Sequence, residues 1–201
     1  ADGSDLLVGA GMGAEHDMSV ETSKRFIDQF CEMGGELFIV DAGWECPPSK
    51  ETQWGDYNGI NVPDKERYPD SITEIADYCH EKGMKFGLWI EIEQAGKFSG
   101  IYEKHPDWFV CDIYGNRSQR FLDFTNPEVA SWAENEIARL IEECSMDLLR
   151  VDYNTSYRDY FAMGRRVADR PECISLAHFN AVIKMYHKKK KRFPHVIFEN
   201  C

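Results

Sequence analysis

Short apolar runs recur along the chain and are separated by stretches in which apolar residues keep helical spacing. Runs of this length, bounded by glycine and polar residues, predict buried strands, and the stretches between them predict amphipathic helices. Because the two alternate, the chain is predicted to form parallel βαβ units. The predicted strands lie in residues 6–9, 37–40, 84–90, 117–123, 148–154 and 196–198. The predicted helices span residues 19–34, 71–82, 126–144 and 173–192.

Polar side chains follow these apolar runs directly. The run that begins at Leu148 ends in Arg150, Asp152 and Asn154, and the run at 37–40 is followed by Asp41. In a parallel α/β barrel the carboxyl ends of the strands carry the chemistry, so Asp152 is a candidate nucleophile. A strand-end Asp that caps the following loop gives the same pattern. The strand ends alone leave both interpretations open.

Residues 45–69 are rich in Pro, Gly, Asn and Asp and are predicted to form a long loop. Trp54 and Tyr57 lie within it. Aromatic faces on a loop above the strand ends suit the apolar faces of sugars. The alternative is that these rings pack the loop against the domain.

Composition limits the classes of function. The 201 residues, 43% hydrophobic and 13% aromatic, are typical of one globular domain with a sizeable core. A formal net charge of −12 disfavours nucleic acid, because its phosphates would be repelled. The apolar runs are too short to span a bilayer, and the glycine-rich residues 10–14 lack the Gly-Lys-Ser/Thr of a phosphate loop. We expect no nucleic-acid partner, no membrane partner and no cofactor.

The seven cysteines are odd in number, evenly scattered and without a Cys-x-x-Cys pair. With no histidine near them at zinc spacing, they predict no metal site. We expect buried free thiols in a reducing compartment, which favours a cytoplasmic location. They are Cys31, Cys46, Cys79, Cys111, Cys144, Cys173 and Cys201.

Five short motifs carry a resemblance to a known family. They are Asp41-Ala42-Gly43-Trp44, Trp89-Ile90-Glu91-Ile92-Glu93, Arg117-Ser118-Gln119 with Leu122-Asp123, Arg150-Val151-Asp152-Tyr153-Asn154, and Glu199-Asn200-Cys201, with His105-Pro106-Asp107-Trp108 also matching. Along nearly its whole length the chain resembles the α-galactosidases of glycoside hydrolase family thirty-six. Each motif alone is weak, but their order makes the resemblance specific for the fold and the broad chemistry.

The resemblance implies an α/β fold, the (β/α)8 TIM barrel, with about six of its eight strands in a catalytic domain that covers residues 1–201. It also implies a retaining glycosidase in which Asp152 is the nucleophile. By the same match the substrate-binding residues are Asp41, Trp44, Trp89, Arg117, Arg150, Asn154 and Cys201. Glu91 and Glu93 are expected only to build the wall of the site.

Departures from the family pattern bear on the substrate. Ala42 stands where the family has a second Asp, and Arg150 stands where it has Lys. Losing a hydrogen-bonding partner for a sugar hydroxyl changes discrimination as well as affinity. We expect an α-linked galactoside or a close relative with an axial hydroxyl, the alternative being an α-N-acetylgalactosaminidase-type activity.

The family's acid/base follows the segment that matches Glu199-Asn200-Cys201. A retaining glycosidase needs two carboxyl groups, so we expect the 201-residue chain alone to be a fragment that does not turn over natural glycosides. A non-catalytic sugar-binding fragment is the alternative. The expected partner is a small carbohydrate, and self-association into a homo-oligomer is left open.

Overall fold

A five-stranded parallel sheet organises the part of the chain that the structure describes. The structure, a computed structural model, describes residues 8–10, 17–49, 51, 53–112, 114–154 and 174–201. Every neighbouring pair of strands in this sheet is parallel, which confirms the predicted parallel α/β class. The strands, in their order across the sheet, are β1 (Val8–Ala10), β2 (Leu37–Val40), β3 (Lys85–Ile90), β6 (Leu148–Val151) and β7 (Ile197–Asn200).

The helices begin where the sequence supplies a cap. The side chain of Ser19 accepts a hydrogen bond from the Thr22 N–H at the start of α1, and Asn126 caps α4 ahead of Pro127. Short 3-10 helices occur at Trp54–Asp56 and Pro106–Trp108. The α-helices of the described residues are α1 (Val20–Glu32), α2 (Thr73–Glu81), α3 (Ile101–Lys104), α4 (Pro127–Glu143) and α5 (Ile174–Arg192).

The strand predicted over 117–123 forms, but it does not join the parallel sheet. It is β5 (Arg117–Leu122), and it pairs antiparallel with β4 (Phe109–Cys111) in a separate two-stranded sheet, so the sheet has β3 next to β6. A central parallel strand is covered on both faces and needs an apolar run, whereas four of the six residues of β5 are polar and three are exposed. The expectation of six parallel strands is therefore wrong, and the described residues supply five.

This β4–β5 hairpin lies against the segment that follows β3. The Ala95 N–H donates to the Arg120 carbonyl at 2.8 Å, and the Leu122 N–H donates to the Glu93 carbonyl at 3.0 Å. Gln94 also forms a β-bridge with Phe121. The hairpin is thereby anchored at the carboxyl end of β3, the end at which Asp41 and Asp152 emerge.

The two faces of the sheet carry different packing. The face turned toward the helices joins the main core through Phe38, Val40, Phe86, Leu88, Leu149 and Val151. On the opposite face Leu37, Ile39, Leu148 and Ile197 form a small cluster, the inner apolar layer. Gly87 lies in this layer, where a Cβ atom would come within 2.9 Å of Ile39. The layer is therefore closely packed at the centre of the sheet.

The cysteines only partly follow the prediction. All six that the structure describes are free thiols, but burial is complete only for Cys46, Cys79 and Cys144. The expectation of buried thiols is wrong for Cys201, which is exposed, and Cys173 lies outside the described residues. Among the described helices, none is long and apolar enough to cross a membrane.

Candidate active site

One row of side chains lies directly above the inner apolar layer at the carboxyl end of the sheet. Strand register pairs Trp89 with Arg150 and Arg150 with Glu199. Because side chains alternate along a strand, residues two positions beyond the inner layer point to the same face. Trp89, Arg150 and Glu199 stand in this relation to Gly87, Leu148 and Ile197, and Asp41 stands in it to Ile39.

Arg150 holds two carboxylates from neighbouring strands. Its Nη1 donates to Asp41 Oδ2 at 2.9 Å, while Nε and Nη2 donate to the two oxygens of Glu199 at 3.0 and 3.1 Å. Burial lowers the pKa of Arg150, but the hydrogen bonds and negative charges of Glu199 and Asp41 outweigh it and raise the pKa overall. The side chain is therefore a permanent cation, and its bidentate pairing gives a defined orientation.

Asp152 follows β6 and continues the ladder with β3, since its N–H donates to the Ile90 carbonyl at 2.9 Å. Its Oδ2 accepts from the indole N–H of Trp89 at 3.2 Å and from Asn154 Nδ2 at 2.7 Å. Its Oδ1 accepts from the Tyr153 N–H at 2.8 Å. These three donors fix the orientation of the carboxylate.

Glu91 is a member of the same cluster. The residue is only 3% exposed, and it accepts hydrogen bonds from the Asn154 N–H and Nδ2, both at 2.9 Å, and from Gln94 Nε2 at 2.7 Å. Burial raises its pKa to about 7, against the opposing effect of the Asn154 donors. The expectation that Glu91 only builds a wall misses this link. The position of Glu91 directly after an apolar run is the feature of the sequence that could have indicated its place in this cluster.

The aromatic residues above the site pack against each other. Trp54 meets Trp89 edge to face, with ring centroids 5.1 Å apart, and Tyr57 packs on Phe98. Trp89 is only 2% exposed, so its contribution to the described site is the indole N–H on Asp152 rather than an open ring face. Of the two interpretations of the loop, the structure favours the one in which its aromatic rings pack it down.

The sequence model of the Melibiase family matches residues 4–201. The chain belongs to the melibiase family. This confirms the family that the five motifs indicated.

Relatives of this melibiase chain are α-galactosidases. It is 27% identical to alpha-galactosidase Mel36A of Lactobacillus acidophilus over 98% of its own length and 27% of that protein. It is 26% identical to alpha-galactosidase 1 of Pediococcus pentosaceus over 92% of its length and 25% of that protein. The chain thus spans about a quarter of the length of these curated relatives.

Solved structures show the same fold. The α-galactosidase from Lactobacillus brevis superposes with a TM-score of 0.81 at 24% identity, covering 98% of this chain and 26% of that one. The family thirty-six α-galactosidase AgaA from Geobacillus stearothermophilus gives a TM-score of 0.82 at 22% identity, covering 98% and 27%. At this identity the likeness establishes the fold alone.

Two residues that the melibiase motifs assigned to substrate binding do not lie in the cluster. Arg117 begins β5, and its exposed guanidinium donates to the Pro106 carbonyl at 2.8 Å. No hydrogen bond described in the structure joins it to Arg150 or Asp152, because its strand has left the parallel sheet. Arg117 therefore lies on the hairpin rather than on the parallel sheet, and its substrate-binding role stays a prediction. Its neighbour Arg120 instead donates through Nε to Gln94 Oε1.

Trp44 is also displaced from the expected role. It is 1% exposed, and its only N–H donates to the Trp89 carbonyl at 2.8 Å. With both ring and donor used inside the domain, Trp44 supports the end of β3 and presents no face to a ligand. The substrate-binding role of Trp44 stays a prediction.

The remaining predicted residues reach the edge of the sheet. Cys201 follows β7 and is exposed. Its backbone N–H donates to the Val151 carbonyl at 3.0 Å. Asn154 is exposed as well, and Asp41 contacts Arg150. Glu93, which is 4% exposed, pairs with buried His178 at 2.6 Å. Among the described residues, no group of three or more acidic, His or Cys side chains is arranged to hold a metal ion.

Proposed function

We propose that the protein carrying this chain is a retaining α-galactosidase whose nucleophile is Asp152. The proposal includes a (β/α)8 barrel to which the described residues contribute five parallel strands. Support comes from membership of the melibiase family and from relatives named as α-galactosidases. Structures of AgaA variants were solved in complex with raffinose and stachyose, which supports an oligosaccharide with an α-linked galactose as substrate.

The observation that carries the proposal is the environment of Asp152. Its Oδ2 is occupied by Trp89 and Asn154, whereas Oδ1 accepts the Tyr153 N–H and keeps a lone pair for attack. It stands at the carboxyl end of a parallel strand, beside the cation of Arg150 on the same edge. An oriented carboxylate in this place is suited to nucleophilic catalysis.

The reaction has two steps. In the first, Asp152 Oδ1 forms a bond to the anomeric carbon, the glycosidic C–O bond breaks, and the leaving oxygen takes a proton from an acid. In the second, the same group acts as base on a water molecule, and the ester is hydrolysed with net retention. The family resemblance places this acid/base in a segment beyond the one that matches Glu199-Asn200-Cys201.

The charged row of the sheet suits a sugar. Arg150, Asp41 and Glu199 offer a donor fork and carboxylate oxygens in a defined arrangement, and such groups bind hydroxyls in pairs. The Asp41 carboxylate is braced by the Ala42 N–H at 2.9 Å. Ala42 brings no polar side chain of its own, so the site leaves space where the family has a carboxylate. A cytoplasmic location and a homo-oligomer stay predictions.

The proposal is tested with the complete protein and its Asp152→Asn variant. We expect the wild type to hydrolyse α-galactosyl fluoride and an aryl α-galactoside with retention, read by NMR of the first-formed anomer. The variant should lose nearly all activity on both. Intact-mass spectrometry should show a hexose adduct only when Asp152 is present. An adduct that persists in Asp152→Asn would show that the nucleophile is another residue.

Sugar specificity is tested on the same protein. We expect the aryl α-galactoside to be cleaved faster than the α-glucoside, with the N-acetylgalactosaminide as the competing substrate that Ala42 admits. Restoring Asp at Ala42 should sharpen the preference for galactose by adding a charge-assisted hydrogen bond, about 1.5 to 3 kcal/mol. Faster hydrolysis of the α-glucoside would reject the galactoside assignment. The isolated 201-residue chain should not hydrolyse raffinose.

A further inference from the structure

A single amide connects two carboxylates at the end of the sheet. Asn154 Nδ2 donates to Asp152 Oδ2 at 2.7 Å and to Glu91 Oε2 at 2.9 Å. The Asn154 N–H donates to the other oxygen of Glu91, also at 2.9 Å. The position of Asn154, and with it one of the donors to the nucleophile, is therefore set by Glu91.

Glu91 is the acceptor in each of its hydrogen bonds that the structure describes. Its Oε1 receives the Asn154 N–H and Gln94 Nε2, and its Oε2 receives Asn154 Nδ2. Gln94 is itself oriented, because its Oε1 accepts from Arg120. An ionised carboxylate has acceptor sites alone and satisfies all of these donors, whereas a protonated carboxyl group carries an O–H that needs an acceptor.

Protonation of Glu91 is therefore incompatible with the described network. A proton on Oε2 would meet Asn154 Nδ2, which is also a donor. If the Asn154 amide turned over to accept that proton, its oxygen would face Asp152 Oδ2, and two acceptors would oppose each other. The first contact would push the Asn154 amide away from Glu91, and the second would replace the 2.7 Å donor of Asp152 by an acceptor.

We propose that Glu91 is a positioning residue whose ionised carboxylate holds Asn154, and through it the nucleophile Asp152, so that protonation of Glu91 impairs glycosylation. This inference rests on the proposed function, because it assumes that Asp152 attacks the sugar. Glu91 itself is buried and acts through Asn154, so it is a positioning residue rather than a catalytic one.

The groups around Glu91 make its ionisation sensitive to pH. Asp152 faces it from the end of β6 and raises its pKa, after the larger effect of burial. Tyr186 approaches from α5. Burial raises the pKa of its phenol, and the nearby charges of Glu93 and Glu91 raise it further. Arg120 approaches from β5 through Gln94, and Glu93 is paired with His178. With burial as the largest cause, the pKa of Glu91 is raised to about 7.

The test uses the complete protein and α-galactosyl fluoride, whose leaving group departs without a proton and so bypasses the acid. The pH dependence of kcat/KM then reports the groups that serve the nucleophile. For the wild type we expect kcat/KM to fall by about 10- to 100-fold as Glu91 is protonated, because a misplaced nucleophile loses reactivity on this order. The Glu91→Gln variant mimics the protonated state. Its kcat/KM should stay near the low-pH value of the wild type at every pH. Its pH profile should therefore lack the acid limb, which is the fall in kcat/KM as the pH drops through about 7.

Two further variants give the comparison. Glu93→Gln removes a carboxylate that is equally buried but pairs with His178, and it should keep the wild-type limb. Gln94→Met deletes one donor to ionised Glu91, so the limb should move to higher pH even if Glu91→Gln fails to fold. Thermal melting establishes which variants are folded.

The possible failures are distinguishable. A wild type that does not hydrolyse the fluoride at any pH would reject the proposed function. If the wild type is active, two results would overturn the role of Glu91. One is a pH profile of kcat/KM in folded Glu91→Gln that is the same as that of the wild type. The other is an acid limb that stays at the same pH in Gln94→Met. Loss of the limb in Glu93→Gln would also overturn it, since burial of any carboxylate would then suffice.

Discussion

Two pairs of carboxylates meet at the same edge of the sheet and are held in opposite ways. Asp41 and Glu199 share the guanidinium of Arg150, a permanent cation. Glu91 and Asp152 share the neutral amide of Asn154. The cation compensates the charge of both of its carboxylates, whereas the amide contributes no charge. In the second pair, burial raises the pKa of Glu91 to about 7.

The largest effect should come from removing the cation. Arg150→Met leaves the carboxylates of Asp41 and Glu199 side by side without a cation. Breaking a largely buried ion pair in this way lowers the free energy of unfolding by about 3 kcal/mol. Urea denaturation of the complete protein measures it. Arg150→Lys is the matched control: it keeps the charge but loses the fork, and should cost about 1 kcal/mol. A loss below 1 kcal/mol in Arg150→Met would contradict the role of the cation.

Removing the shared amide should affect activity more than stability. Asn154→Ala takes away a donor to a charged oxygen, so kcat/KM for the fluoride should fall about 10- to 150-fold. Asn154→Ala also removes one donor to buried Glu91 while the backbone N–H donor remains, so the free energy of unfolding should fall by about 1 kcal/mol.

Asn116→Ala is the matched control for that variant. Asn116 Nδ2 donates to Asp112 Oδ2 at 2.7 Å, the same type of bond on the exposed β4–β5 hairpin. Its removal should leave kcat/KM unchanged. Equal activity loss in both variants would show that the Asn154 bond has no special place in the reaction.

Titration of a buried carboxylate away from the site should separate stability from activity. Burial raises the pKa of Glu45 from 4.5 to about 8. The folded protein then holds this proton more tightly than the unfolded chain. The resulting stabilisation is complete below about pH 4.5 and is lost as the pH rises through about 8.

Glu45→Gln should therefore flatten the fall in stability between pH 5 and pH 9, on the order of 1 to 3 kcal/mol. It should leave the acid limb of kcat/KM in place, because Glu45 accepts from the Asn61 N–H and has no described bond to Asn154. Unfolding free energies at the two pH values, with the fluoride profile, give both readouts. If Glu45→Gln lost the acid limb of kcat/KM, that limb would report a change in folding stability rather than the protonation of Glu91.

The smallest effect should be that of Arg117→Ala. Its guanidinium is exposed and bonds only a carbonyl among the described contacts, so stability should change within about 0.5 kcal/mol and kcat/KM by about twofold or less. Arg120→Ala should have the larger effect of the two, because it releases Gln94 from its orientation. A loss above about 100-fold in Arg117→Ala would restore the role that the family motif assigns to it.

The sequence predicts the strands of the parallel sheet because their signal is local. The runs that became β2 and β6 are apolar enough to be buried on both faces, and such runs seldom form anything else at that length. The polar residue that ends each run then follows by position. Asp41 and Asp152 could be placed at one edge for this reason.

What the sequence could not predict depends on contacts between distant residues. The pairing of Arg150 with Glu199 joins positions 49 residues apart, and that of Arg120 with Gln94 exists only because the hairpin folds back on the segment after β3. Trp44 is a large aromatic residue in a site motif, and nothing local shows that its N–H is used on the Trp89 carbonyl. The polar pattern of β5 was the one available sign that it would leave the parallel sheet.

The inner apolar layer sets how deep a ligand can go. Ile39, Leu148 and Ile197 close the space directly beneath Trp89, Arg150 and Glu199, and Gly87 leaves no gap between its neighbours. A ligand that reaches this row therefore stands above a closed apolar layer and cannot pass between the strands. Under the proposed function, the sugar would have the charged side chains at the level of its hydroxyls and an apolar surface beneath them.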